Sequence, residues 1–294
     1  MKKISILCML ILHGFSFAQL KSPFAESNVI LEVTPSKTDP RITEADTPHF
    51  VVYDPTVKQG KLLLFMPGTN GIALKGPKDL FATAVDQGYY LINLSYINTP
   101  AIARICKGET LEGNSDCASD FRTNRIYGTN DFPHTDDQSY DAIINRFTKL
   151  LVYLAENDKK GNWGTYLENG SPKWDQIAVA GQSQGGGMAA FIAKRHRVAR
   201  VIDFSGGWDY SAKNKIAKWY FNESITPADR WYGTYHVEEG AAKTIIETYK
   251  AMNIPQNHVY AFNLPYPEGK RPHSNGIRNL AYKDLWIEML GKGN

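Results

Sequence analysis

Ser183 stands in the run Gly181-Gln182-Ser183-Gln184-Gly185-Gly186, and this stretch carries the clearest chemical signature of the chain. A short apolar segment, Ile177–Ala180, enters it, and a small-residue pattern with helical spacing leaves it. A G-x-S-x-G between a strand and a helix presents its serine at the apex of a sharp turn, with the hydroxyl clear of the sheet. Gly181 and Gly185 leave room where the entering strand and departing helix touch. The backbone N–H groups that open the helix then lie beneath the serine, where they favour a developing negative charge. The chemistry this suggests is nucleophilic attack on a carbonyl. A serine hydroxyl is a weak nucleophile at neutral pH, so a histidine must take its proton and a carboxylate must orient that histidine. Downstream of Ser183 the histidines are His196, His236, His258 and His273. His196, between two arginines at the end of the helix, reads as a solvated or helix-C-terminal charge. His258 begins a strand and His236 ends one.

The elements that must position these groups can be read from periodicity. Val29–Val33 and Phe50–Tyr53 are short β-branched or aromatic runs, and Lys61–Met66 is an apolar strand. Pro77–Gln87 has helical spacing and is closed by Gly88; Tyr89–Leu94 reads as the next strand. Ser139–Glu156 is a long amphipathic helix with Ile143, Ile144, Phe147, Leu150, Leu151 and Leu154 on one face. After the serine turn come strands at Val201–Phe204, Trp231–His236 and His258–Asn263, with helices near Ala241–Met252 and Asn279–Leu290. Strands alternating with helices predict an α/β fold, a mainly parallel sheet with helices on both faces. The stretch 97–138 is too long for a connector and reads as an irregular loop excursion over the active face.

The chain begins with Met1-Lys2-Lys3, an apolar core at Ile4–Leu12 and a small-x-small exit at Ser16-Phe17-Ala18. That pattern predicts a signal peptide cleaved after Ala18, a single domain over 19–294, and a secreted or periplasmic protein. A lipoprotein reading of Cys8 fails because it lies inside the apolar core. No segment reads as a stable membrane anchor. The formal charge is +3 over 294 residues, and loss of Lys2 and Lys3 takes it to +1. A nucleic-acid partner is therefore not expected. Cys106 and Cys117 remain after cleavage, and in an oxidising compartment they are expected to form a disulfide closing a short loop. Such a loop is stabilised by roughly 2–3 kcal/mol in the chain-entropy picture. No metal-ligand motif and no dinucleotide fingerprint occurs, so no cofactor is expected.

With strand, elbow and element order together, the chain resembles the α/β-hydrolase superfamily from about residue 50 to its end. The likeness rests on Leu64-Phe65-Met66-Pro67-Gly68-Thr69-Asn70-Gly71 and on Gly181-Gln182-Ser183-Gln184-Gly185-Gly186. Within the superfamily it is similar to secreted bacterial hydrolases of the BPSS1187-like type, which also carry a P-G-T-x-G loop, paired cysteines and a G-x-S-Q-G elbow. The resemblance implies the order serine, acid, histidine along the chain. It places the base at His273, in a polar loop after the last strand. The acid should follow the penultimate strand, where Glu239 is the first choice, Glu238 the second, and Asp209 after the preceding strand an alternative. The oxyanion hole should combine the backbone N–H of Gln184 with that of Thr69 or Asn70.

These residues point to a serine hydrolase acting on small-molecule or polymeric carboxylic esters. An amidase or peptidase would share the triad. A lipase would need an amphipathic lid, and the stretch 97–138 is mostly polar. From another class, the same fold would serve an exported binding module. Loops 97–138 and 205–230 are expected to shape the pocket, with Trp208, Trp219, Tyr220 and Trp231 as candidate walls.

Overall fold

A computed structural model describes residues 22–293. The leader expected at 1–18, and Cys8 within it, lie outside the described residues. Eight strands form the central sheet: β1 Val29–Val33, β2 His49–Tyr53, β3 Leu62–Met66, β4 Tyr90–Asn93, β5 Ile177–Gln182, β6 Arg200–Phe204, β7 Trp231–His236 and β8 Val259–Phe262. Their spatial order is β1-β2-β4-β3-β5-β6-β7-β8. β1 and β2 run antiparallel to each other, and β2 runs antiparallel to β4; every other neighbouring pair is parallel.

Strand composition follows from this arrangement. β3, Leu-Leu-Leu-Phe-Met, is buried along its whole length because helices cover both faces of the sheet. Its alternate residues divide between two cores: Leu62, Leu64 and Met66 join one, Leu63 and Phe65 the other. The first core takes Phe147, Leu150, Leu151 and Leu154 from helix Ile143–Asn157 and Met188–Ala193 from helix Gln184–Arg195. The second takes Leu80, Phe81, Ala84 and Val85 from helix Lys78–Asp86, and Trp286, Met289 and Leu290 from helix Lys283–Leu290.

Chain order reverses direction across the sheet between β3 and β5, since β4 lies on the far side of β3. In open parallel sheets the crevice beyond the carboxyl ends of the strands at such a reversal is where ligands bind. Loops from the ends of β3, β4, β5, β6, β7 and β8 carry the candidate residues.

Several boundaries depart from the expectations above. The long helix is interrupted: Ser139–Asp141 is a single 3-10 turn, Ala142 is extended, and α-helix begins at Ile143. The final helix likewise starts as a 3-10 turn, Leu280–Tyr282, before Lys283. The larger departure concerns 97–138, which is irregular only at its two ends. It holds helices Ile102–Ile105, Gly108–Gly113 and Cys117–Tyr127. The last of these buries Phe121 and Ile126 together with Arg122 and Arg125, so a charged sequence conceals an inward face. Cys106 and Cys117 are disulfide-bonded, with Cα atoms 5.6 Å apart. The bond ties the start of that helix to the end of helix Ile102–Ile105.

Candidate active site

Ser183 has φ 58° and ψ −124°, between the end of β5 and the first residue of helix Gln184–Arg195. A left-handed φ is uncommon for a serine and marks the strained turn of a nucleophile elbow. Close approach explains the glycines around it. A Cβ on Gly185 would stand 2.0 Å from the Met66 carbonyl oxygen, and one on Gly181 would stand 2.3 Å from the Gly185 carbonyl carbon. Any side chain at either position would force strand and helix apart.

His273 does not lie in a loop, as the sequence suggested. It lies in the first turn of helix Pro272–Arg278, where Pro272 supplies a fixed φ at the helix start. Its Nδ1 donates to Glu239 Oε2 at 2.7 Å. That bond leaves Nε2, on the opposite side of the ring, for proton transfer. The elbow and the histidine are joined directly, because Gln182 Nε2 donates to the His273 carbonyl oxygen at 3.1 Å.

Glu239 is buried and held from every side. Its Oε1 accepts from Ser205 Oγ at 2.6 Å and from the His236 N–H at 2.7 Å. Burial pushes its carboxyl up, but the hydrogen bonds from His273, Ser205 and His236 outweigh it and keep the group below the usual carboxylate range. Glu239 thus stays ionised with a fixed direction toward His273. The other two acid candidates face elsewhere. Glu238 is exposed. Asp209 is buried in an ion pair with Arg122 and accepts a third bond from Trp219 Nε1 at 3.0 Å.

The other histidines downstream of Ser183 have partners of their own. His236 Nδ1 accepts from the Glu238 N–H at 3.2 Å, and its Nε2 meets the Leu264 carbonyl at 3.1 Å. His258 Nδ1 lies 3.0 Å from the Trp231 carbonyl. His196 does end helix Gln184–Arg195, but it does not stand in solvent: it is partly buried, stacked on Trp174 at 4.8 Å and 3.2 Å from the Tyr127 hydroxyl.

The Pro67–Gly71 loop packs against the elbow, so closely that a Cβ on Gly68 would lie 3.1 Å from Ser183 Cβ. Gly68 and Gly71 close a turn, with the Gly71 N–H donating to the Gly68 carbonyl at 2.9 Å. The Asn70 N–H is committed to Asn98 Oδ1 at 3.2 Å, which separates it from Thr69 as an oxyanion donor. Gln184, whose backbone N–H opens the helix, fixes its own side chain by accepting from the Ile102 N–H at 2.9 Å and donating to the Asn98 carbonyl at 2.8 Å. Sequence reasoning missed Ser205 and Arg122. Ser205 sits at φ 50° directly after β6, and the signal for it was the Ser-Gly-Gly that ends that strand. Of the candidate walls, Trp219, Tyr220 and Trp231 are buried core, whereas Trp208 is partly exposed and meets the His273 ring edge-on at 5.3 Å.

Among the described residues no cluster of three or more His, Cys, Asp or Glu is arranged to hold a metal ion, and no helix is long and apolar enough to cross a membrane.

No family model matches the sequence, and no curated protein matches it. Solved structures do. An acylaminoacyl peptidase from Pyrococcus horikoshii aligns with TM-score 0.50 at 11% identity, over 92% of this chain and 42% of that one. S-formylglutathione hydrolase from Staphylococcus aureus aligns at 0.49 and 13% identity, over 90% and 97% of the two chains. A dienelactone hydrolase from Klebsiella pneumoniae aligns at 0.44 and 13%, over 90% and 98%. Strand order, the serine elbow after β5 and the likeness to the peptidase together give the chain the α/β-hydrolase fold.

Proposed function

We propose that the protein is an exported serine hydrolase that cleaves carboxylic esters. The observation that carries this reading is the Glu239–His273 pair, joined at 2.7 Å and tied through Gln182 to the strained turn that presents Ser183. A binding module has no need for a buried carboxylate whose free oxygen is aimed at one histidine.

In this reading Ser183 Oγ attacks the ester carbonyl carbon while His273 Nε2 takes the hydroxyl proton. Glu239 keeps the imidazole in the Nδ1–H tautomer and stabilises the imidazolium that forms. The negative oxygen of the tetrahedral intermediate accepts hydrogen bonds from the Gln184 and Thr69 N–H groups. Collapse breaks the bond to the alcohol, which leaves with the proton from His273. Water then loses a proton to the same nitrogen, attacks the acyl-enzyme and releases the acid, and Ser183 Oγ regains its proton. The Cys106–Cys117 disulfide supports an oxidising compartment, in keeping with the expected leader.

Hydrolysis of a p-nitrophenyl ester series by the mature protein tests this proposal, with Ser183→Ala and His273→Ala beside it. Each variant should lose at least a thousandfold in kcat. Turnover that survives in Ser183→Ala would overturn the assignment.

A further inference from the structure

A cleft of about 760 Å³ lies between the disulfide-bonded excursion and the short hairpin Tyr210–Ala212/Lys215–Ile216 that follows β6. That volume falls within the roughly 300–1,000 Å³ typical of small-molecule sites. Ile102, Cys106, Leu111, Trp208 and Ala212 contribute apolar surface to it. Asp209 also lines it, but both carboxylate oxygens are held by Arg122, so the inner wall offers no free charge. The exposed charges of the lining, Lys107, Glu112 and Lys213, belong to its rim.

Two walls of this cleft are fastened to the candidate catalytic groups. Ile102 donates its N–H to the side chain of Gln184, the residue after Ser183. Trp208 presents its ring to His273. A smaller cleft of about 350 Å³, less than half that volume, borders Gln182 and the Pro67–Gly71 loop.

We infer that the larger cleft holds one apolar arm of the ester cut at Ser183, an alkyl chain or aromatic ring on either the acyl or the alcohol side. The inference rests on the serine-hydrolase reading and names the substrate class of that same site: esters with one bulky apolar arm. Each methylene that enters such a cleft raises kcat/KM by about fourfold, the equivalent of about 0.8 kcal/mol.

Two substrate series test it. One varies the acyl chain of p-nitrophenyl esters from acetate to octanoate; the other varies the alcohol of acetate esters from methyl to hexyl. The parent enzyme should favour longer members in one series. Leu111→Trp and Ala212→Trp, which fill the cleft from its outer walls, should lower the long-to-short ratio of kcat/KM in that series at least tenfold. Ile225→Ser, at an exposed position outside the cleft lining, should keep the parent ratio. Ratios unchanged in both filling variants would overturn the inference. Labelling of each variant by a fluorophosphonate separates the two levels. Unlabelled parent protein would sink the serine-hydrolase reading itself, whereas normal labelling with unchanged ratios would sink the cleft assignment alone.

Discussion

Arg122 and Asp209, 87 residues apart in sequence, form a two-point ion pair beneath the serine elbow: Nε donates to Oδ2 at 2.6 Å and Nη2 to Oδ1 at 2.8 Å. Both side chains are almost fully buried. The arginine also reaches toward the Gln184 carbonyl and fills the space beside Gly187 in the elbow helix. Asp209 adjoins Trp208, which packs on His273. The pair thus links the disulfide-bonded helix to both sides of the candidate site.

Removing one partner strands the other as an uncompensated buried charge. Arg122→Ala should therefore destabilise the fold by about 3–5 kcal/mol in denaturant unfolding. The double variant Arg122→Met/Asp209→Leu should recover much of that loss, because neither charge remains. A double variant as unstable as the single one would show that packing, not charge, dominates.

The Glu239 carboxylate should matter for rate more than for structure. Glu239→Gln keeps the shape but loses the charge that holds the imidazole tautomer, so kcat should fall by about 10³–10⁴. Glu238→Gln, at the exposed neighbouring position, should change it less than threefold. Equal effects from the two variants would reject Glu239 as the acid.

Asp203 carries a pH signature of stability. It sits fully buried in β6, and no side chain donates a hydrogen bond to either carboxyl oxygen. Burial pushes its pKa up to about 7, with the Arg122 charge and the Gly206 amide opposing too weakly to restore the ordinary 3.8. A carboxyl with a raised folded-state pKa binds protons better when folded. Its contribution to stability is full below 3.8 and is lost as pH rises through about 7. Asp203→Asn removes this dependence, so its Tm relative to the parent should climb from pH 4 to pH 7.5 and then level off. A difference in Tm that does not vary with pH would contradict a protonated Asp203.

The disulfide should support the cleft as well as the fold. Cys106→Ala/Cys117→Ala frees a loop with a sequence separation of 11 residues and should cost about 2–3 kcal/mol. Since Cys106 lines the cleft, the double variant should also raise KM for esters with a bulky arm more than for acetates. A stability loss with no change in relative KM would confine the bond to a structural role.

How much of this was legible in the sequence depended on how local each signal was. Strand β5, the elbow and helix Gln184–Arg195 announce themselves because turn chemistry and periodicity act over a few residues. The ranking of Glu239 above Glu238 came with the family resemblance, and it is the Glu239 carboxylate that meets His273. Helix Cys117–Tyr127 escaped notice because two of its inward residues are arginines. The partner of Arg122 is 87 positions away, so its polar composition reads as solvated loop. His196 failed for the same reason: the Trp174 and Tyr127 rings that shelter it come from other parts of the chain. Buried polar pairs take their meaning from distant neighbours, which periodicity does not report.

The most direct measurement of Ser183 as nucleophile is the site of fluorophosphonate labelling in folded, mature protein, read by peptide mass. A nucleophilic Ser183 gives one adduct, on Ser183, that is absent in Ser183→Ala and at least a hundredfold slower to form in His273→Ala. A folded protein that takes no label, or takes it on another residue, would contradict a nucleophilic Ser183.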